Sequence, residues 1–437
     1  MKTVVLVAPQ FVPSNLAAVH RSRLWANHLP EFGWKPVILT VWPKCYEEKT
    51  EPELERLLSP DLEIRRVGAF PITRPRLVGD IGWRSLPFLA YGLSQMIRQR
   101  QIDFVHFPVP PFPPALLGPA LWRKGVPYGI DYIDPWVPDR LFKHPMVSKA
   151  YWAQKIGVWL EPWAVRDARL ITGITEGYFC GVLARHPHLQ GQAVTRAMPY
   201  GFDVRDHEEA RKGMVGFQPA FPRDGRINLV YAGALLPRAF DNLRLFLRAL
   251  LILDAKADWK NRLRVTFIGT GPDPKRADLY AVRWIAEEMG AGHLAMEVPG
   301  RLGYLQVLRN LEAADGILVL GSDEAHYSPS KIYQSMLAGK PIFGLMHPDS
   351  LATKTIRDLR AGQVATSPQI PELTAAQLAE QLQGYLLKIL PGFCPVDLGF
   401  LEMCSAHSSA RILAEGMNEA LKKATDYRKD KRELKYQ

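Results

Sequence analysis

Ser328-Pro-Ser-Lys-Ile-Tyr-Gln-Ser-Met-Leu-Ala-Gly-Lys-Pro-Ile342 is the segment from which the rest of the chain can be read. Its residues predict a helix running into a strand. Ser328 is a candidate N-cap and Pro329 a candidate first helical residue, while Gly339 can end the helix left-handed before a strand over Pro341–Met346. Lys331 then falls in the first turn, where the positive end of the helix dipole disfavours a cation by about 0.3–1 kcal/mol. Ser330, Lys331 and Gln334 share one face by their spacing. A cation set against the dipole makes sense when an anion lies between it and the free N–H groups, the reason helix N-termini bind phosphate. The alternative is a solvated lysine on a surface helix.

Outward from this segment, short β-branched runs alternate with helical stretches along the whole chain, which argues for βα units and parallel sheets. In the first half the predicted strands are Thr3–Ala8, Lys35–Val41, Leu62–Val67, Asp103–Phe107, Val126–Tyr132, Leu170–Ile174 and Val194–Met198. Helices are predicted over Leu16–Glu31, Leu86–Arg100, Pro114–Lys124, Val147–Arg166 and Glu176–Arg185. The pattern restarts with strands at Ile227–Ala232, Leu263–Ile268, Ala295–Val298, Gly316–Leu320, Pro341–Met346 and Gln363–Thr366. Asp203–Arg226, rich in charge, glycine and proline without a clear period, reads as the linker. The fold class expected is α/β, two Rossmann-like domains, with ligands at the carboxyl ends of the strands.

A chain of 437 residues, 47% hydrophobic and 23% charged, can build two domains with full cores. Cys45, Cys180, Cys394 and Cys404 are scattered, which reads as reduced cysteines in an intracellular protein. Met1-Lys2 leads straight into an apolar strand, so no signal peptide is expected. The long uncharged run Phe104–Trp122 holds six prolines and is no candidate for a spanning helix. The formal charge of +11 fits nucleic acid, an anionic membrane surface or small anions. Part of it sits in the tail Lys422–Gln437, with seven Lys/Arg against three Asp/Glu. That tail is either a frayed, solvated end or a peripheral attachment to anionic lipid. P-loop, HExxH, GxSxG, EF-hand and Cys–His metal spacings are absent from the sequence.

Pro329-Ser-Lys331 followed by Ala338-Gly-Lys-Pro-Ile342 resembles a recurring pattern in the nucleotide-sugar half of GT-B glycosyltransferases of the family-four type. Leu29–Thr40 (Leu-Pro-Glu-Phe-Gly-Trp-Lys-Pro-Val-Ile-Leu-Thr) resembles these enzymes too, in a structural role. Asp131-Tyr-Ile-Asp-Pro-Trp136 is similar to their Arg-Asp-Pro-Trp, with Ile133 where arginine is usual. The resemblance implies an acceptor-binding domain over 1–203, a linker over 204–226 and a nucleotide-sugar domain over 227–396. It implies a helix over 397–425 crossing back to the first domain, followed by a basic tail over 426–437. The two domains would face each other across a cleft.

The activity implied is transfer of a sugar from a nucleotide-diphosphate sugar to an acceptor hydroxyl on a glycan or lipid-linked saccharide, with retention. It would need no metal and no cofactor besides the donor, with no nucleic acid partner. The place implied is the cytoplasm, in polysaccharide biosynthesis, with the basic tail on the inner membrane face. Arg238 and Lys331 would grip the donor diphosphate, with backbone amides from Gly233. Arg301 would lie near the base, and Ser330 and Gln334 near the donor. Two departures stand out. Ala234 occupies the place of a common arginine, and His326 and Gln334 occupy the places of two glutamates. Asp323 or Glu324 could supply the missing carboxylate; the alternative is two solvated loop acids. Gly269-Thr-Gly-Pro272 reads as a tight turn.

In the first domain, Asn15 belongs to the turn after the first strand. His106 and Asp134 are expected at strand ends, Asp134 as base or acceptor-orienting group; a structural histidine is the alternative for His106. Two rival functions stay open: a non-catalytic nucleotide-sugar-binding scaffold, and a nucleotide-sugar epimerase of the same fold.

Overall fold

A computed structural model of the chain describes residues 1–72, 79–137, 146, 148–235, 237–271, 280–321, 331–366 and 373–436, and only the backbone of residues 150, 238, 331, 398 and 430–436. The chain divides into two compact units, Met1–Gly201 with Met403–Gln437, and Phe202–Glu402.

The first unit is built on a sheet of β1 (Lys2–Val7), β2 (Trp34–Val41), β3 (Glu63–Val67), β4 (Phe104–Val109), β5 (Tyr128–Tyr132), β6 (Leu170–Gly173) and β7 (Val194–Ala197). All pairs are parallel and the order is β3-β2-β1-β4-β5-β6-β7. β1 from Val4 to Val7 and all of β4 are buried, as strands of a parallel sheet covered on both faces are. The second unit repeats the plan with β8 (Ile227–Ala232), β9 (Leu263–Ile268), β10 (Ala295–Val298), β11 (Gly316–Leu320), β12 (Ile342–Met346) and β13 (Gly362–Thr366), in the order β10-β9-β8-β11-β12-β13. Each order reverses once, beside β1 in the first sheet and beside β8 in the second, as in doubly wound folds.

The predicted strands match these to within one or two residues, β4 among them. The sequence reading ends that strand at Phe107, yet it runs through Pro108 to Val109. Its ladder to β1 covers only Phe104, Val105 and His106, so the prolyl nitrogen faces no partner there. The helix predicted from Leu86 begins at Ile81, where the Asp80 carboxylate accepts the Trp83 N–H, and it continues through Pro87. Within the stretch read as a linker, Val204–Gly213 is helical, with the Asp203 carboxylate accepting the Arg205 N–H at its start.

The last helix, Ala406–Tyr436, lies on the first unit. Ala406, Ala410, Leu413, Met417, Ala420 and Ala424 recur every three or four residues and are buried. The small side chains allow close approach, and burying Leu413 and Met417 contributes about 1.5–3 kcal/mol each. Ser409 accepts the indole N–H of Trp25 at 3.0 Å and donates to the Pro199 carbonyl. Its distal part is held as well. Arg428 donates to the Gly125 carbonyl at 2.8 Å, and the Arg169 guanidinium lies 3.9 Å from the Trp122 ring and 4.7 Å from that of Tyr427. The tail is therefore docked helix as far as Arg428, in place of the frayed end weighed above.

Candidate functional site

In the second unit the strand order turns back between β8 and β11, which pair through Leu229–Gly316 and Val230–Ile317. Connections leaving such neighbours pass to opposite faces of a sheet, and the crevice at their carboxyl ends is where open α/β sheets bind ligands. β8 leads into Gly233 and the short 3-10 turn Pro237–Ala239. β11 leads through Gly321 and residues 322–330 into the helix Lys331–Leu337. The Asn242 side-chain amide donates to the Gly321 carbonyl at 2.9 Å and ties the two exits together.

Gly233 has φ +112°, a conformation that side-chain-bearing residues avoid. The turn lets its N–H donate to the Ile268 carbonyl at 2.8 Å, and Gly269 repeats the step to Val298. The result is a staircase of backbone turns across the ends of β8, β9 and β10. A Cβ on Gly269 would come within 3.8 Å of the Arg301 Cα and 4.0 Å of the Gly233 Cα, so three separate segments meet there. Glu297 in β10 fixes this edge. It accepts the Thr270 hydroxyl and the N–H groups of Ala281, Val282 and Arg283, capping the helix Val282–Glu288.

Gln334 is half-buried and committed to a network. Its amide donates to the Tyr304 hydroxyl (2.9 Å), which donates to the buried Asp206 carboxylate (2.7 Å). Its carbonyl oxygen is 3.1 Å from His207 Nε2, whose Nδ1 is 2.8 Å from Glu312. Burial pushes the Glu312 carboxyl pKa up, but the hydrogen bonds from His207 and Arg211 outweigh it and hold it down to about 2. The tyrosine has spent its proton on Asp206, so position 334 must supply a donor. An amide does so, and an ionised glutamate would not.

In the first unit, Arg21 and Asp131 form a fully buried bidentate pair at 2.7 and 2.9 Å. Arg21 also donates to the Pro199 carbonyl, Thr172 donates to Asp131, and the guanidinium lies 4.6 Å from the Trp25 ring. His106 is fully buried beside them, its ring centroid 5.7 Å from that of Trp25. Burial drives its pKa down to about 4, with Asp131 opposing and Arg21 assisting. Asn15 donates to Glu51 at 2.7 Å, and its oxygen is 2.7 Å from His20 Nε2. Asp134 is exposed just beyond β5.

Residues 18–178 match the profile of the glycosyl transferase 4-like domain. Comparison with curated proteins by sequence gives no match. Among solved structures, a glycosyltransferase from Rickettsia africae is 14% identical, covering 98% of both chains with a TM-score of 0.55. HepE of Anabaena in complex with UDP and glucose is 12% identical, covering 99% of this chain and 100% of its own, TM-score 0.55. An α,α-trehalose-phosphate synthase (UDP-forming) from Burkholderia vietnamiensis is 14% identical, covering 100% and 98%, TM-score 0.57. Residues 18–178 are thus similar to that domain, and the chain as a whole shares the GT-B fold of these structures.

Within this GT-B fold the residues singled out by sequence divide sharply. Gly233 and Arg301 come together at the switch-point end of the second sheet. Arg238 and Lys331 have their backbones at the two exits there, and their side chains lie outside the described structure. Asp323, Glu324, His326 and Ser330 fall among residues 322–330, outside the described residues. His106 is a correction. It sits in mid-strand, sealed in the core, because β4 continues beyond it. Gln334 has both ends of its amide engaged within the protein. Sequence reading missed the Arg21–Asp131 pair, Glu297 and the Tyr304–Asp206 bond. The usable signal for the first was an acid inside a short strand of otherwise uncharged residues, Asp131 in Tyr128–Tyr132. Among the described residues no group of three or more His, Cys, Asp and Glu is arranged to hold a metal.

Proposed function

We propose that this chain transfers a sugar from a nucleoside diphosphate sugar to an acceptor hydroxyl, with retention of configuration and without a metal. The observation that carries the reading is the β8–β11 switch point, where the Gly233 turn and the helix beginning at Lys331 leave adjacent strand ends. HepE, of the same fold, has been seen with UDP-glucose, which makes a uridine nucleotide the first donor to test. In this mechanism the acceptor oxygen bonds to the anomeric carbon as the bond to the diphosphate breaks, and the hydroxyl proton passes to the departing phosphate. Arg238, Lys331 and nearby backbone N–H groups stabilise the growing charge. Asp134 orients the acceptor, with Asn15 in the turn beyond β1. The acceptor is a glycan or lipid-linked saccharide of cytoplasmic polysaccharide assembly, a point supported by the family resemblance alone.

The engagement of Gln334 favours a second reading, a nucleotide-sugar-binding protein without turnover. The test is a thermal-shift screen of nucleoside diphosphates and their sugars on the intact chain and on Lys331→Ala, followed by product analysis. Ligand at about 100 times its Kd should stabilise by about 2.7 kcal/mol. A shift abolished by Lys331→Ala with nucleotide release supports transfer; a shift without turnover supports the second reading. No shift with any nucleotide overturns both.

A further inference from the structure

The helix Lys149–Val165 presents an apolar stripe that nothing in the donor site uses. Trp152, Ile156, Trp159 and Trp163 follow one another at four, three and four residues, so they lie on one face. They are 54%, 44%, 78% and 45% exposed. The opposite face is sealed in the unit, with Ala164 and Val165 in the core and Gly157 against the Trp136 ring. Scattered exposed apolar residues need no explanation, whereas three tryptophans in one row do.

The exposed charges of the helix itself have one sign. Glu161, the single acid of the helix sequence, is turned inward and held by Arg185 at 2.8 and 3.0 Å, with His186 at 3.2 Å. Lys149 and Lys155 are exposed on the first half, and Arg166 is exposed just past the end. The Lys155 ammonium lies 5.5 Å from the Trp152 ring and the Arg166 guanidinium 4.4 Å from that of Trp163. Asp167, paired with Arg166 at 3.1 Å, is the acid next in sequence. Among the described residues no helix is long and apolar enough to cross a membrane.

We infer that this face lies in the interface of an anionic phospholipid membrane, with Trp159 at the centre of the inserted stripe. Tryptophan is at home where one side is apolar and the other wet, and flanking cations add attraction to anionic headgroups. The charge pattern decides between lipid and a second copy of the chain. Two such faces packed together would bring lysine and arginine against lysine and arginine, with no exposed acid on the helix to pair with them. An anionic headgroup layer complements the same surface. The inference is independent of the donor reading, since lipid binding needs no nucleotide.

The test is flotation of the full chain with vesicles of phosphatidylcholine, with and without phosphatidylglycerol. It is repeated for Trp159→Glu, for Trp152→Glu with Trp159→Glu, and for Lys149→Glu with Lys155→Glu. Each substituted side chain is exposed, so melting curves should stay unchanged. Binding should require phosphatidylglycerol and fall by about tenfold or more in the tryptophan variants. It should also fall in the lysine variant and with added salt. Binding that survives both sets overturns the inference, as does no binding at all. A dimer in light scattering that Trp159→Glu dissociates, without vesicle binding by the parent, assigns the face to self-association instead.

Discussion

Replacing Arg21 by methionine tests whether the first unit depends on the charge pair at its centre. Methionine keeps an unbranched apolar stem but removes the guanidinium, with every donor and its contact with the Trp25 ring. Asp131 would keep only the Thr172 hydroxyl, at 2.6 Å, and the Pro199 carbonyl would lose the bond from Arg21 at 2.8 Å. Leaving one member of a buried pair uncompensated costs about 3–5 kcal/mol. A unit of about 150–250 residues loses about 2–4 °C of Tm per kcal/mol, which places the expected fall at about 6–20 °C. The measurement is differential scanning calorimetry, because two compact units can melt separately and only the transition of the first should move. A companion variant, Arg21→Met with Asp131→Leu, removes both charges and should recover most of the loss, since apolar replacement of a whole buried pair is often neutral. The reasoning fails if Arg21→Met costs less than about 1 kcal/mol, or if the double variant is no better than the two single losses added together.

Three further expectations concern the polar groups around the site. His106 has a native pKa of about 4 against an ordinary 6.5, so the unfolded chain takes up its proton first. Its contribution to stability is complete above pH 6.5 and declines as pH falls toward 4, by about 3 kcal/mol in all. His106→Phe should flatten that part of a urea-denaturation series against pH, and an unchanged slope would count against the assignment. Gly233→Val forces a side chain onto φ +112° and should cost about 1–3 kcal/mol in the second unit. It should also shrink the thermal shift given by UDP, and a full-sized shift would separate this turn from the donor site. Gln334→Glu removes the donor to Tyr304 and should destabilise by about 1–2 kcal/mol in chemical denaturation. A glutamate variant as stable as the parent would show that the tyrosine does not need that amide.

The architecture was legible because its signals are local. Parallel strands buried on both faces, such as Val4–Val7 and Leu318–Leu320, appear as short apolar runs whatever surrounds them. The helix end at Gly339 was equally plain: its φ of +69° is the one a glycine supplies after the last turn. The errors came where a local rule met a longer-range fact. The predicted helix starts at Leu86 and the predicted strand stops at Phe107, each beside a proline that the observed element runs through. Pro108 is tolerated because β1 pairs no farther than His106. Pro87 sits in a helix whose start was fixed about two turns earlier by Asp80.

Amino-acid order alone determined that β and α segments alternate twice over and that Gly233 and the Lys331 helix follow strands. Only the folded chain decided which polar residues are available for chemistry. Asp131 and Asp134 stand three positions apart in one motif, yet the first is locked to Arg21 from a distant helix and the second reaches solvent. Periodicity records which face of a strand is covered. The side chain that does the covering arrives from elsewhere in the sequence, and no local pattern registers it.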